Sequence, residues 1–296
     1  MKNIIVVTGG AGFIGSNLIK TLIKKKGVKI ISIDNYSTGK IKNHVKDKCV
    51  KYFKSDNLHI AKILEPYKKK IKIIFHFGEF SRIYQSFINY KKCLEYNVHH
   101  SFRVIDFAKN NNIKIIYSAT SSNLGNNGKD EHLSPYSWSK SKNIELIKNY
   151  NKWFKLKYEL VYFYNVYGEG QIKNSNMAAV IGIFEELYKK RKPLTIVKPG
   201  TQKRDFTHIS DIINGCILAW KKGKNSEYML GTNKCYSIIQ IAKMFKSKVK
   251  YLPSRQGERF NSIKINNNAK KILGYSAKIK ITDYIENFRK KNSKSF

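Results

Sequence analysis

Ile4-Ile5-Val6-Val7-Thr8-Gly9-Gly10-Ala11-Gly12-Phe13-Ile14-Gly15 is the stretch from which the fold is read. A short apolar run reads as a buried strand, glycines follow it directly, and Ile14, Leu18 and Leu22 then recur at helical spacing. Gly9 permits a tight turn, Gly12 lets a pyrophosphate approach the backbone, and Gly15 lets helix and strand pack closely. The phosphate then sits at the helix N-terminus. Asp34 closes the second β-branched run, nineteen residues after Gly15, where a ribose diol needs an acceptor. A carboxylate there repels a 2′-phosphate, so the expected dinucleotide is NAD.

Working outward, strand-like runs recur at Lys29-Asp34, Lys51-Phe53, Lys72-His76, Lys114-Ser118 and Glu159-Tyr164. Helical spacing separates them, as in Val98, Phe102 and Ile105. Strands alternating with helices predict an α/β fold, a Rossmann-type doubly wound parallel sheet covered on both faces. After Gly168 the pattern loosens, punctuated by Pro193, Pro199 and Pro253, and predicts a smaller C-terminal α/β lobe.

Composition narrows the function classes. The 296 residues are 42% hydrophobic and 13% aromatic, enough for a sizeable core and unlike a disordered chain. No apolar run approaches the ~20 residues of a membrane span, and Ile4 to Val7 is too short for a signal peptide. A cytoplasmic protein is expected. The net charge is +37, but only seven of the 57 basic residues are Arg. Lys cannot make the bidentate contacts of nucleic-acid readers, and it is spread along the whole chain, so composition rather than a nucleic-acid surface is the expected source. Such a field still speeds capture of an anionic ligand. Cys49, Cys93, Cys216 and Cys235 form no Cys-x-x-Cys pair, and the adjacent His99 and His100 diverge on a helix, so no metal site is expected.

Tyr136 and Lys140 lie four residues apart, on one face of a helix that Ser134-Pro135 opens. A phenol of pKa ~10 needs a neighbouring positive charge to act as a base near neutrality. The spacing alone carries little, since it recurs at Tyr36 and Tyr188. Position separates the three. Tyr36 stands in a loop beside Gly39, and Tyr188 opens a Lys run that reads as a solvated helix end. Tyr136 follows the fifth strand, which ends in Ser118-Ala119-Thr120-Ser121-Ser122, at the sheet edge where open α/β folds bind ligands. A hydroxyl there passes a hydrogen bond between phenol and substrate; the alternative is a plain hydroxyl-capped turn.

These motifs, with Asp34-Asn35-Tyr36-Ser37-Thr38-Gly39, Tyr164-Asn165-Val166-Tyr167-Gly168, Arg204-Asp205-Phe206-Thr207-His208 and Arg255-Gln256-Gly257-Glu258, resemble the extended short-chain dehydrogenase/reductases. The resemblance spans nearly the whole chain and is to their nucleotide-sugar epimerase/dehydratase branch, above all the UDP-glucose 4-epimerases. It implies an NAD-binding domain over 1–166, with part of 200–232 returning to it, and a nucleotide-sugar lobe over 167–296. Gly9, Gly12, Phe13, Ile14 and Gly15 would hold the pyrophosphate, and Asp34 with Asn35 the adenosine ribose. Asp56 and Asn57 would lie by the adenine, Phe77, Gly78 and Ser81 along the next strand's edge, with Asn97 near them. Thr120, Tyr136 and Lys140 would be catalytic, Tyr136 and Lys140 also meeting the cofactor. Asn165, Arg204, Arg255 and Glu258 would face the substrate, the two Arg meeting its diphosphate.

Three departures bear on the reaction. Ser121 and Ser122 stand where dehydratases of this branch carry an Asp-Glu pair, and where the decarboxylases carry a Glu, which disfavours elimination. Gly78-Glu79 replaces a usual pair of small residues. Ser262, seven residues past Arg255, falls at a gate that is small where N-acetylhexosamines are accepted. The resemblance thus implies NAD-dependent 4-epimerisation of a UDP-hexose or UDP-N-acetylhexosamine, with other nucleotide-sugar epimerases, dehydratases or reductases as alternatives. A non-catalytic nucleotide- or RNA-binding protein is the alternative of another class. The resemblance also implies a homodimer through helices near 88–108 and 136–153, where Ile105, Phe107, Ile144 and Ile147 serve either the interface or the core.

Overall fold

Two-residue alternation along the buried strands, broken at the irregularity between Ile71 and Ile73, divides the core into two layers. Ile4, Val6, Ile31, Ile33, Ile115, Tyr117 and Ala119 face one way. Ile5, Val7, Ile30, Ile73, Phe75 and Ile116 face the other. Successive side chains of a strand point to opposite faces, so a strand buried on both faces must be apolar throughout. The computed structural model describes residues 3–258 and 267–293.

The strands, in chain order, are β1 (Ile4–Thr8), β2 (Lys29–Asp34), β3 (Val50–Lys54), β4 (Ile71–His76), β5 (Lys114–Thr120), β6 (Tyr158–Phe163), β7 (Asn165–Tyr167), β8 (Leu194–Val197), β9 (Lys203–His208), β10 (Glu227–Leu230), β11 (Cys235–Ser237) and β12 (Val249–Leu252). Seven form one sheet in the order β10-β6-β5-β4-β1-β2-β3. Every pairing in it is parallel. This is a Rossmann-type α/β fold. The order reverses between β1 and β4, which opens a crevice at their C-terminal ends, where such sheets bind ligands.

Side chains of the helices Ser101–Asn110 and Pro135–Phe154 fill one layer. Those of Phe13–Leu22 and Ile209–Lys222 fill the other. Ala269, Leu273 and Tyr275 also pack there, although they lie far along the C-terminal stretch. Ile105, Phe107, Ile144 and Ile147 belong to the core. The exposed apolar side chains on or beside these helices are others: Ile88, Tyr90, Phe102, Trp138, Trp153 and Phe154.

A smaller lobe carries the mixed sheet β11-β9-β7 and the parallel pair β12-β8. Its core joins Tyr167, Phe184, Ile196, Phe206, Ile241, Phe245 and Ile285. Tyr188 packs its ring against Phe245 and Phe288, so that residue is not simply a solvated helix end. Asp205, fully buried, accepts from Thr232 N (2.8 Å), Thr232 Oγ1 (2.8 Å) and Asn233 N (3.0 Å). It ties the lobe's central strand to the chain leaving β10.

Candidate active site

The glycines are required by space as much as by conformation. A Cβ on Gly15 would stand 2.2 Å from Gly9 O, and Gly9 itself has φ +70° with the Gly78 backbone 2.8 Å from where its Cβ would be. Gly12 differs: a Cβ there would meet only Gly9 O, at 3.1 Å, and Gly12 lines the cleft. Gly12 opens the helix Phe13–Leu22 with no side-chain cap. The first N–H groups of that helix therefore face the cleft, a cradle for an anion. At the end of β2, Asp34 accepts from Ala11 N (2.9 Å) and Tyr36 N (2.8 Å). Burial raises its pKa, and the backbone N–H groups of Tyr36 and Ala11, His44 and the Gly12 N–H oppose the rise. Two acceptor sites on that carboxylate are taken, and a carboxylate offers about four. Asn35 Nδ2 donates to Asp56 Oδ1 (2.7 Å), and Asn57 Nδ2 donates to Gly78 O (2.7 Å).

Across the switch point, Ser134 caps the helix Pro135–Phe154 by accepting from Ser137 N (3.0 Å), with Pro135 at its first turn. Tyr136 N donates to Ser86 Oγ (3.2 Å), which docks that helix start on Ile83–Ile88. Lys140 is buried, with its ammonium 4.4 Å from the centre of the Tyr117 ring. It donates to Ser118 O and forms an ion pair with Glu79. Burial lowers the pKa of Lys140, with Glu79 opposing. Burial would raise Glu79, but Lys140 and His76, with the hydrogen bonds it accepts, bring it below its ordinary value. Strand β5 runs two residues past the expected Ser118, so Thr120 is its last member. Thr120 Oγ1 lies 2.9 Å from Ser122 Oγ and accepts from Ser122 N (3.2 Å).

On the lobe side, Asn165 Nδ2 donates to Asp205 O (3.1 Å), and Arg204 pairs with Glu258 at 3.4 Å. Arg255 stacks over the Tyr84 ring at 5.1 Å. Gln171 lines the same cleft, buried, and among the described residues neither its Oε1 nor its Nε2 has a hydrogen-bond partner.

A single cleft of about 490 Å³ gathers these groups. Gly9, Gly12, Phe13, Ile14, Gly15, Asp34, Asn35, Asp56, Asn57, Phe77, Gly78 and Ser81 line one end. Thr120, Tyr136, Lys140, Asn165, Arg204, Arg255 and Glu258 line the rest. Asn97 is not in the wall. It lies fully buried behind it, where Oδ1 accepts from Phe80 N (2.7 Å) and Nδ2 donates to Phe80 O (3.1 Å), holding the loop after β4. Ser262 falls outside the described residues. Sequence reasoning did not assign Arg82, Gln171 or Gln202, which also line the cleft, nor a role for Glu79. The available signal was charge after a buried strand, Glu79 and Arg82 following His76 at the sheet's ligand-binding edge.

Fold and site together define a dinucleotide-binding α/β protein with a Tyr–Lys pair at the C-terminal edge of its sheet. The model of the NAD dependent epimerase/dehydratase family matches residues 5–231, and the chain belongs to that family. A putative UDP-glucose 4-epimerase of Methanocaldococcus jannaschii is 28% identical over 98% of this chain and 100% of that protein. The solved UDP-N-acetylglucosamine 4-epimerase of Methanobrevibacter ruminantium is 28% identical, with a TM-score of 0.85 over 99% of this chain and 98% of that one. UDP-glucuronic acid 4-epimerase of Bacillus cereus, solved with UDP-glucuronic acid and NAD, is 25% identical, with a TM-score of 0.86 over 99% and 100%. The cofactor is NAD. The open Gly12 cradle, the uncapped helix and the Asp34 carboxylate fit it. Among the described residues, no helix is long and apolar enough to cross a membrane.

Proposed function

We propose that this protein is a nucleotide-sugar 4-epimerase acting on a UDP-hexose or UDP-N-acetylhexosamine. The carrying observation is the convergence of Thr120, Tyr136 and Lys140 in one cleft with the glycine loop, with hydroxyls rather than carboxylates at Ser121 and Ser122. An elimination needs an extra acid and base beside the sugar, and these serines supply neither. NAD, when bound, accepts and returns a hydride. Tyr136, as phenolate, takes the proton of the sugar 4-hydroxyl and later gives it back. Thr120 orients that hydroxyl, and Lys140 favours the ionised phenol. Arg204 and Arg255 meet the diphosphate.

The test is incubation of the purified protein, without added NAD, with UDP-N-acetylglucosamine, UDP-glucose and UDP-glucuronate in separate samples, read by the anomeric proton spectrum. The galacto epimer is expected. A keto-deoxy product would overturn epimerisation in favour of dehydration, and no change even with NAD supplied would overturn both.

Asp34 gives a pH dependence. Its protonation removes an acceptor from the ribose, and burial moves that protonation to higher pH than for an ordinary Asp. NAD affinity is therefore expected to weaken on acidification, and earlier than a solvent-exposed carboxylate would dictate. Asp34→Asn should flatten this dependence and narrow the preference for NAD over NADP, as measured by titration of both dinucleotides across pH. An unchanged profile would remove Asp34 from the site.

We further propose a homodimer through the helices that expose Ile88, Tyr90, Phe102 and Trp138, since exposed apolar side chains on adjoining helices gain by mutual burial. Light scattering should return twice the 34.4 kDa chain mass. A monomeric mass at micromolar protein would discard it.

A further inference from the structure

Glu79 and Arg82 carry opposite charges on the loop after β4, three residues apart; Glu79 meets Lys140, and Arg82 lines the cleft that also holds Tyr136. The Glu79 carboxylate is fully engaged. Its Oε1 accepts from Ser101 Oγ (2.8 Å), Tyr117 Oη (2.9 Å) and Asn143 Nδ2 (3.0 Å), and its Oε2 takes the Lys140 ammonium. A chain of hydrogen bonds fixes this orientation from behind. Thr8 Oγ1 already accepts from Phe77 N and Gly78 N, so its proton goes to His76 Nδ1 (2.7 Å). His76 Nε2 then donates to Ser101 Oγ (2.9 Å), which donates to Glu79. A carboxylate that accepts four donors is held ionised.

Arg82 is anchored differently. Its Nε donates to Met177 O (2.7 Å) and its Nη1 to Ser81 O (2.9 Å), and no acid among the described residues pairs with it. Ser86 ties the two backbones together: Ser86 N donates to Arg82 O, while Ser86 Oγ accepts from Tyr136 N. Both side chains line the cleft; burial lowers the pKa of Arg82, and Tyr136 opposes that fall.

We propose that this loop redistributes charge around the reacting phenol: Glu79 is a positioning residue that clamps and partly neutralises Lys140, and Arg82 adds positive field at Tyr136 to what Lys140 still supplies. This rests on the reading of Tyr136 as the base. The other titratable groups facing the cluster leave its charge unchanged near neutrality. His76 is pushed down to about 4 by burial, Cys93 is pushed up to about 11 by burial, and burial raises Tyr117 well above the ordinary phenol.

The experiment is an ultraviolet phenolate titration of the full chain with NAD bound. Each protein is measured against its own Tyr136→Phe counterpart, so that the difference reads one phenol. Glu79→Gln, which keeps the side-chain shape, should lower the Tyr136 midpoint by about one pH unit. Arg82→Gln should raise it by about one unit, and Arg82→Lys should restore it. Midpoints that agree across all four proteins overturn the proposal, as does a shift of either Gln variant in the opposite sense. If Glu79→Gln does not fold, the two Arg82 variants decide alone. Turnover retained by Tyr136→Phe would instead sink the base assignment, whereas turnover lost with unmoved midpoints would sink only the charge redistribution.

Discussion

Tyr136→Phe is expected to bind NAD as the wild-type chain does and to lose at least ~100-fold in turnover, the scale of general acid–base catalysis. The substitution removes one oxygen and leaves the ring. Tyr136 N keeps its bond to Ser86 Oγ, and Ser134 keeps its cap on the helix, so the backbone has no reason to move. Lys140 stays clamped by Glu79 and Ser118. The loss therefore falls on kcat rather than on cofactor affinity. Equilibrium dialysis gives the NAD affinity, and the anomeric proton spectrum gives the rate on whichever sugar nucleotide the wild-type protein converts. Near-normal turnover would remove Tyr136 from the chemistry.

Gly15→Ala should cost about 3 kcal/mol or more of stability and abolish NAD binding. Alanine is the better helix former by up to ~1 kcal/mol, so propensity alone predicts a gain. Space decides otherwise. The new methyl would stand 2.2 Å from Gly9 O and 2.8 Å from Gly10 Cα, both backbone atoms of the tight turn. Neither retreats without opening that turn, and with it the anion cradle. Gly12→Ala is the informative contrast. Its methyl would meet only Gly9 O, at 3.1 Å, which a shift of a few tenths of an ångström relieves, so the loss of stability should be smaller than for Gly15→Ala while NAD binding still weakens. Urea unfolding and NAD titration of both variants separate the two effects. A Gly15→Ala protein as stable as wild type would show that the turn is softer than its packing implies.

The tight glycine loop, the acid at the end of β2 and the capped helix carrying Tyr136 were legible because each is local: the requirement is met within a few residues of chain. The assignment of Ile105, Phe107, Ile144 and Ile147 was not legible, because helical spacing shows that a face is apolar without showing what covers it. Here the sheet covers it, and they are core. Asn97 was expected near the cofactor and lies one layer behind the wall, hydrogen-bonded to Phe80. A buried amide and a ligand-facing amide look alike in sequence.

Glu79 shows the same division most sharply. As a sequence feature it was a charged residue where small ones are usual. Its meaning comes from Lys140, Tyr117, Ser101 and Asn143, which are 22 to 64 positions away and meet it only when β4, β5 and two helices pack. The sequence by itself determined the fold class, the dinucleotide loop and the Tyr–Lys spacing, because backbone sterics and side-chain periodicity act over short stretches of chain. Only the tertiary structure decided which charges meet, because the energy of an ion pair depends on distance and burial, and packing sets both.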